Sequence, residues 1–155
     1  MTAINAIRFD EYSGIMWERE CSFEFFNPLN PSMSIQTNCG LRVSGDSSSV
    51  LANNSKLSFR LLFKGGYGPS RIEFPIFNND TYKNTALKPA DVFNHLMLRS
   101  CYNDSWTDSS KSADALFIRN RFLNETFLDM GHINPYGRFV HLYLNGMYWG
   151  VYDLC

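Results

Sequence analysis

The chain is poor in charge. Asp, Glu, Lys and Arg make up 19% of its 155 residues, and 14 basic against 15 acidic side chains leave a formal net charge of -1. Without a cationic excess there is no long-range field to draw the chain onto nucleic acid or an anionic bilayer, so neither is expected as a general partner, and only a local basic pocket is left open. Long hydrophobic runs are missing as well. No segment approaches the about 20 apolar residues of a membrane span, so none is expected. The N-terminus, MTAINAIRFDEYSG, lacks the basic start and apolar block of a signal peptide, which predicts a chain that stays inside the cell unless a segment precedes it.

Cysteine is scarce and badly spaced for metal. Cys21, Cys39, Cys101 and Cys155 show no C-x-x-C pattern and no neighbouring histidine, which argues against a zinc site. Buried free thiols are the preferred reading, with a Cys21 to Cys39 bridge between neighbouring strands as the alternative in an oxidising compartment. The sequence also has no Walker loop, no dinucleotide fingerprint, no H-E-x-x-H and no G-x-S-x-G. N-x-S/T triplets begin at Asn53, Asn79, Asn103 and Asn124, but in so Asn- and Ser-rich a chain they arise by chance.

What the chain does have is aromatic and apolar weight. Hydrophobic residues reach 45%, with 13 Phe, 8 Tyr and 3 Trp, a composition that folds and favours sheet. One domain is expected, and it is placed at residues 17–155 after an irregular lead-in over 1–16. Strands are read at 21–26, closed by Asn27-Pro28, at 40–44, at 58–63, closed by Gly65-Gly66-Tyr67-Gly68-Pro69, and at 92–99. A short extended piece at 71–74 stops at Pro75, which suggests a sheet edge. A helix is expected from Ser109 or Ser110 to a left-handed cap at Gly131, with Ala113, Leu116, Phe117, Leu123, Phe127 and Met130 as its core stripe.

The last segment, RFVHLYLNGMYWGVYDLC, reads as a β-hairpin about Asn145-Gly146, whose residues suit the positive φ values of a type I′ turn. Strict pairing from that turn sets Leu144 against Met147, Leu142 against Trp149 and Val140 against Val151 on one apolar face. The other face pairs Tyr143 with Tyr148, His141 with Gly150 and Phe139 with Tyr152, and it needs a cover. Gly150 leaves a gap there that a neighbouring group is expected to fill. The fold class is therefore α+β: a largely antiparallel sheet with one long helix and a C-terminal hairpin.

The remaining chemistry is sparse. Gly45 to Ser49 form a Gly/Ser loop between two strands, followed by Lys56 and Arg60, an order in which backbone amides and a cation can hold phosphate, although a solvated hairpin loop explains the isolated pattern better. Asp104 and Asp108 flank Trp106, where capping and turn roles are preferred to metal binding.

Taken in order, the segments WERECSFEFF, CGLRVSGDSS, SKLSFRLLFKGGYGPSRIEFPIF, HLMLRSCYNDSW, RNRFLNETFLDMG and YGRFVHLYLNGMYWGVYDL resemble the N-terminal half of the CotH kinase family, named for spore coat protein H. The resemblance implies an atypical protein-kinase-like fold whose β-rich part binds ATP with Mg²⁺ or Mn²⁺ ahead of a part carrying the catalytic and metal-binding aspartates. By position it implies nucleotide contacts at Gly45, Ser47, Lys56, Arg60, Arg99 and Asn103, with Lys56 the first phosphate partner. No catalytic residue and no metal ligand is assigned within the chain. Two departures stand out: Gly45-Asp46 where the family has a glycine pair, and Arg119-Asn120 where it often reads R-D. The family's glutamate and aspartate region is not matched, so the 155 residues are expected to be inactive by themselves. Family membership also implies a coat or surface protein as phosphate acceptor and a spore-coat or cell-surface location. The alternative is a non-catalytic surface or adhesion module on the same scaffold.

Overall fold

The computed structural model describes residues 18–45, 56–77, 88–108 and 112–155. The expected lead-in over 1–16, Ser47, and the two serines proposed as helix caps lie outside them. The elements run β1 (Arg19–Phe25), β2 (Ile35–Ser44), β3 (Ser58–Leu62), β4 (Ile72–Glu73), β5 (Val92–Phe93), β6 (His95–Arg99), α1 (Arg119–Asp129), β7 (Arg138–Leu144) and β8 (Met147–Leu154). Six strands form one sheet in the order β1-β2-β3-β6-β8-β7, with every neighbouring pair antiparallel. Among the described residues the fold is thus mainly an antiparallel sheet with one α-helix, as the patterning predicts. The strand expected over 92–99 is split at Asn94, and its first part pairs with β4 in a separate two-stranded ribbon.

Alternation divides the sheet into two unlike faces. Leu41, Phe59, Leu61, Leu96, Leu98 and Leu154 are buried on one. The ribbon helps to cover them, since Ile76 and Phe77 are buried just past it and Phe77 meets Phe93 edge-on at 5.5 Å. Burying side chains of this size contributes about 1.5–3 kcal/mol each, which makes this face the main source of stability. The opposite face takes Arg42, Ser58, Arg60, Met97, Arg99 and Asp153, which lie opposite one another in the strand register.

The hairpin departs from strict pairing. Leu144 faces Met147 and Tyr143 faces Tyr148, as expected, but Leu142 then faces Gly150, His141 faces Val151, Val140 faces Tyr152 and Phe139 faces Asp153. Trp149 is the extra residue of a β-bulge. Gly150 permits it at φ 124°, a conformation that side chains rarely adopt. The shift overturns the expected placement of Tyr152, which is fully buried beside Phe59, with ring centroids 6.0 Å apart and its hydroxyl donating to the Leu57 carbonyl at 2.9 Å. Phe139, His141, Tyr143 and Tyr148 stay exposed on the other side, as a face short of cover should. The Gly150 gap is filled by the stem of Lys56, whose Cε would lie 3.6 Å from an added Cβ.

The helix is shorter than expected and turned the other way. A 3-10 turn occupies Ser112–Asp114, Phe117 adopts φ 64°, and α1 begins only at Arg119. Its start is served from outside: the Asp104 carboxylate accepts from the Leu116 and Arg119 amides at 3.1 and 3.2 Å. Its end matches the sequence reading, with Gly131 at φ 84° donating to Leu128 and His132 to Phe127 in a Schellman arrangement. The expected core stripe faces outwards. Leu116, Leu123, Phe127 and Met130 are each half exposed or more, whereas Leu128 and Arg121 are buried. Arg121 decides the orientation, because its Nε and Nη2 grip both oxygens of the buried Asp153 carboxylate.

Candidate functional site

A cleft of about 390 Å³ opens where the polar face meets the approach to α1, lined among others by Ser58, Arg99, Asn103, Asp104, Phe117 and Asn120. The sheet supplies its floor. Ser58 starts β3 and Arg99 ends β6, and the two strands are bound through the Ser58 hydroxyl, which accepts the Ser100 amide at 2.9 Å and donates to the Ser100 hydroxyl at 3.1 Å. A 3-10 turn at Tyr102–Asp104 lifts Asn103 and Asp104 onto the rim. With its amide oxygen towards the guanidinium, Asn120 accepts from Arg99 at 2.9 and 3.1 Å. Arg119 pairs with Asp104 at 3.2 Å.

Lys56 stands beside the cleft. Its ammonium lies 4.6 Å from the centroids of both Phe117 and Tyr152 and donates to the Val151 carbonyl at 2.6 Å. Desolvation by these neighbours lowers its pKa below that of an ordinary lysine. Burial also raises the Cys101 thiol on the cleft wall, which keeps it protonated and a poor nucleophile.

The candidate residues from the sequence gather unevenly. Arg99 and Asn103 share the cleft wall, Lys56 touches it through Phe117, and Arg60 is the next polar-face residue along β3 from Ser58. Gly45 follows Ser44, which pairs with Ser58, and Ser47 lies outside the described residues. Sequence reading missed Ser58, Phe117 and Arg119 as wall residues. Asn120 had been noted only as a departure from R-D, yet that departure places a neutral acceptor rather than a carboxylate against Arg99.

This arrangement can hold an anion and hydrogen-bond a polar ligand. Acid–base work would need a carboxylate or imidazole facing the cleft, and among the described residues the one carboxylate on its wall, Asp104, is engaged by Arg119 and by two backbone amides. Among the described residues no three His, Cys, Asp or Glu side chains converge as metal ligands.

The model of the CotH kinase protein family matches residues 41–155, which include every element from late β2 to β8. The chain belongs to the CotH kinase family. Comparisons with curated proteins and with solved structures return no match. Among the described residues of this family member, no helix is long and apolar enough to cross a membrane.

Proposed function

We propose that residues 17–155 form the nucleotide-binding part of a CotH-type protein kinase, with ATP seated in the cleft between the polar sheet face and α1. The carrying observation is the convergence of Arg99, Asn103 and Ser58 on one cleft beside the Lys56 ammonium, in a chain of that family. Bound ATP would supply the transferable phosphoryl group. Arg99, positioned by Asn120, would meet its phosphates, and Lys56 would add charge from the side. The described residues do not fit a resident Mg²⁺ or Mn²⁺ site, so no step is routed through a metal. Transfer to a protein Ser/Thr is the activity that family membership suggests, with a coat or surface protein as acceptor.

Calorimetric titration with ATP tests the reading. Saturable binding that weakens about ten-fold or more in Arg99→Ala is expected, as for loss of a charge-assisted contact. No binding of ATP to the wild-type chain overturns it.

One observation favours a second reading, a protein-binding surface module. Phe122, Phe127, Met130 and Ile133 are 64, 50, 65 and 90% exposed on α1 and its exit. Patches of this kind mark interaction surfaces. Absence of ATP binding would favour this reading.

A further inference from the structure

Arg42 on β2 and Arg60 on β3 are direct cross-strand partners, so both side chains leave the sheet on the polar face. Partners in such a ladder have Cβ atoms about 4.5–5.5 Å apart, and like charges placed there destabilise the pair. Neither guanidinium takes part in an ion pair among the described residues. The carboxylate just ahead of β1, Glu18, is spent on Lys64, which donates to both its oxygens at 2.8 and 2.9 Å. The third residue in the row, Met97, offers no acceptor. Arg60 Nε is, moreover, buried without any hydrogen-bond partner, a state that costs about 1–3 kcal/mol or more for a charged group.

Two arginines side by side on one sheet face, one with an orphan buried donor, make a site suited to an anion. A planar fork matches phosphate and carboxylate oxygens alike, and the nucleotide reading selects phosphate. The pair also adjoins the cleft. Ser58 on the wall lies opposite Ser44, and Arg60 and Arg42 are the next same-face residues along the two strands, about 7 Å away.

The geometry points to Arg42 and Arg60 as a two-arginine clamp for the polyphosphate chain of the ligand whose remaining part occupies the cleft. This rests on the nucleotide reading and adds Arg42 to it, a residue that no family pattern singled out as a contact. It also assigns the sheet face, rather than the Gly/Ser loop, as the main phosphate support.

The test follows thermal unfolding and calorimetry with inorganic tripolyphosphate, ATP and adenosine, for wild type, Arg42→Gln, Arg42→Lys and Arg60→Gln in phosphate-free buffer. Tripolyphosphate is expected to raise the melting temperature of wild type, and Arg42→Gln to weaken it about ten-fold or more. Arg42→Gln without ligand should melt no lower than wild type, because it removes a repulsion; a gain in stability together with lost tripolyphosphate binding is what a purely structural arginine would not give. Arg42→Lys, which keeps the charge but not the fork, should bind at an intermediate level and covers the case in which the glutamine variant fails to fold. Equal tripolyphosphate binding by wild type and Arg42→Gln or, where the glutamine variant does not fold, by wild type and Arg42→Lys, overturns the clamp. If tripolyphosphate binds through Arg42 while adenosine does not bind and ATP binds no better than tripolyphosphate, the clamp stands and the nucleotide reading falls.

Discussion

Arg121 of α1 and Asp153 of β8 form a bidentate ion pair, with Nη2 2.8 and 2.9 Å from the two carboxylate oxygens and Nε 3.1 Å from the nearer one. Both side chains are almost wholly buried. Arg121 also donates to the Pro135 carbonyl at 3.1 Å, and Gly137 has no room for a Cβ beneath the guanidinium. The pair is the main polar tie between helix and sheet. Desolvation nevertheless outweighs the attraction of Arg121 and raises the Asp153 pKa above that of a free aspartate.

The two partners should therefore respond very differently to single and double replacement. Arg121→Met or Asp153→Leu alone strands a buried charge and is expected to cost about 3–5 kcal/mol. The double variant should recover most of that loss. Urea denaturation of all three checks it, and a double variant as unstable as the sum of the singles would refute the assignment.

Cys21 and Cys39 face each other across β1 and β2 with their sulfurs 3.5 Å apart, although all four cysteines are free thiols. The Cys39 thiol hydrogen bond lowers the Cys21 pKa, which makes Cys21 the attacking thiolate. Oxidised glutathione should first form a mixed disulfide at Cys21, releasing one glutathione thiolate; Cys39 then displaces the second. Intact-mass measurement should show the loss of two hydrogens, absent in Cys39→Ser. Closing this loop should stabilise the chain by about 3 kcal/mol.

Gly150 carries the bulge at φ 124° against the stem of Lys56. Its nearest neighbour leaves ordinary contact room for a methyl group, so the penalty is one of backbone strain. Gly150→Ala should cost about 1–3 kcal/mol in chemical denaturation. A neutral result would mean that the bulge relaxes without it.

Lys56 offers a test by titration. Burial is the main cause of its lowered pKa, and a base whose folded pKa lies below the unfolded one contributes stability fully above the unfolded value. That contribution is lost as pH falls through the folded value. The ¹³Cε resonance of Lys56 should titrate below the ordinary 10.5. Lys56→Met should flatten the rise in stability between the folded midpoint and about pH 10.4.

Most strands were legible because their signals are local. Asn145-Gly146 announces its turn, Pro75 closes the ribbon, and the alternation of Leu41, Arg42 and Val43 assigns inner and outer faces without help from elsewhere. The helix start was not legible, since Asp104 caps it from 15 residues away while nearer serines imitate a cap. The helix face was misread for the same reason: an apolar stripe normally marks the core, but burial of Arg121 is dictated by a partner 32 positions further on. Arg99 and Asn103, which line the cleft, were singled out through family pattern. Ser58 and the Arg42–Arg60 pairing needed strand register, and Asn120 needed the docking of α1 against Arg99, neither of which single residues encode.

The extra residue at Trp149 also has a consequence for how this segment can vary. With strict pairing continued from the turn, Asp153 would fall opposite Arg138, on the side that holds Val140 and Leu142, and Tyr152 would point to the helix. The bulge reverses that parity, so everything beyond it exchanges sides. Deleting Trp149 or inserting one residue beside it should consequently damage positions far from the change, whereas a paired insertion and deletion spanning the turn, which restores the count, should be tolerated.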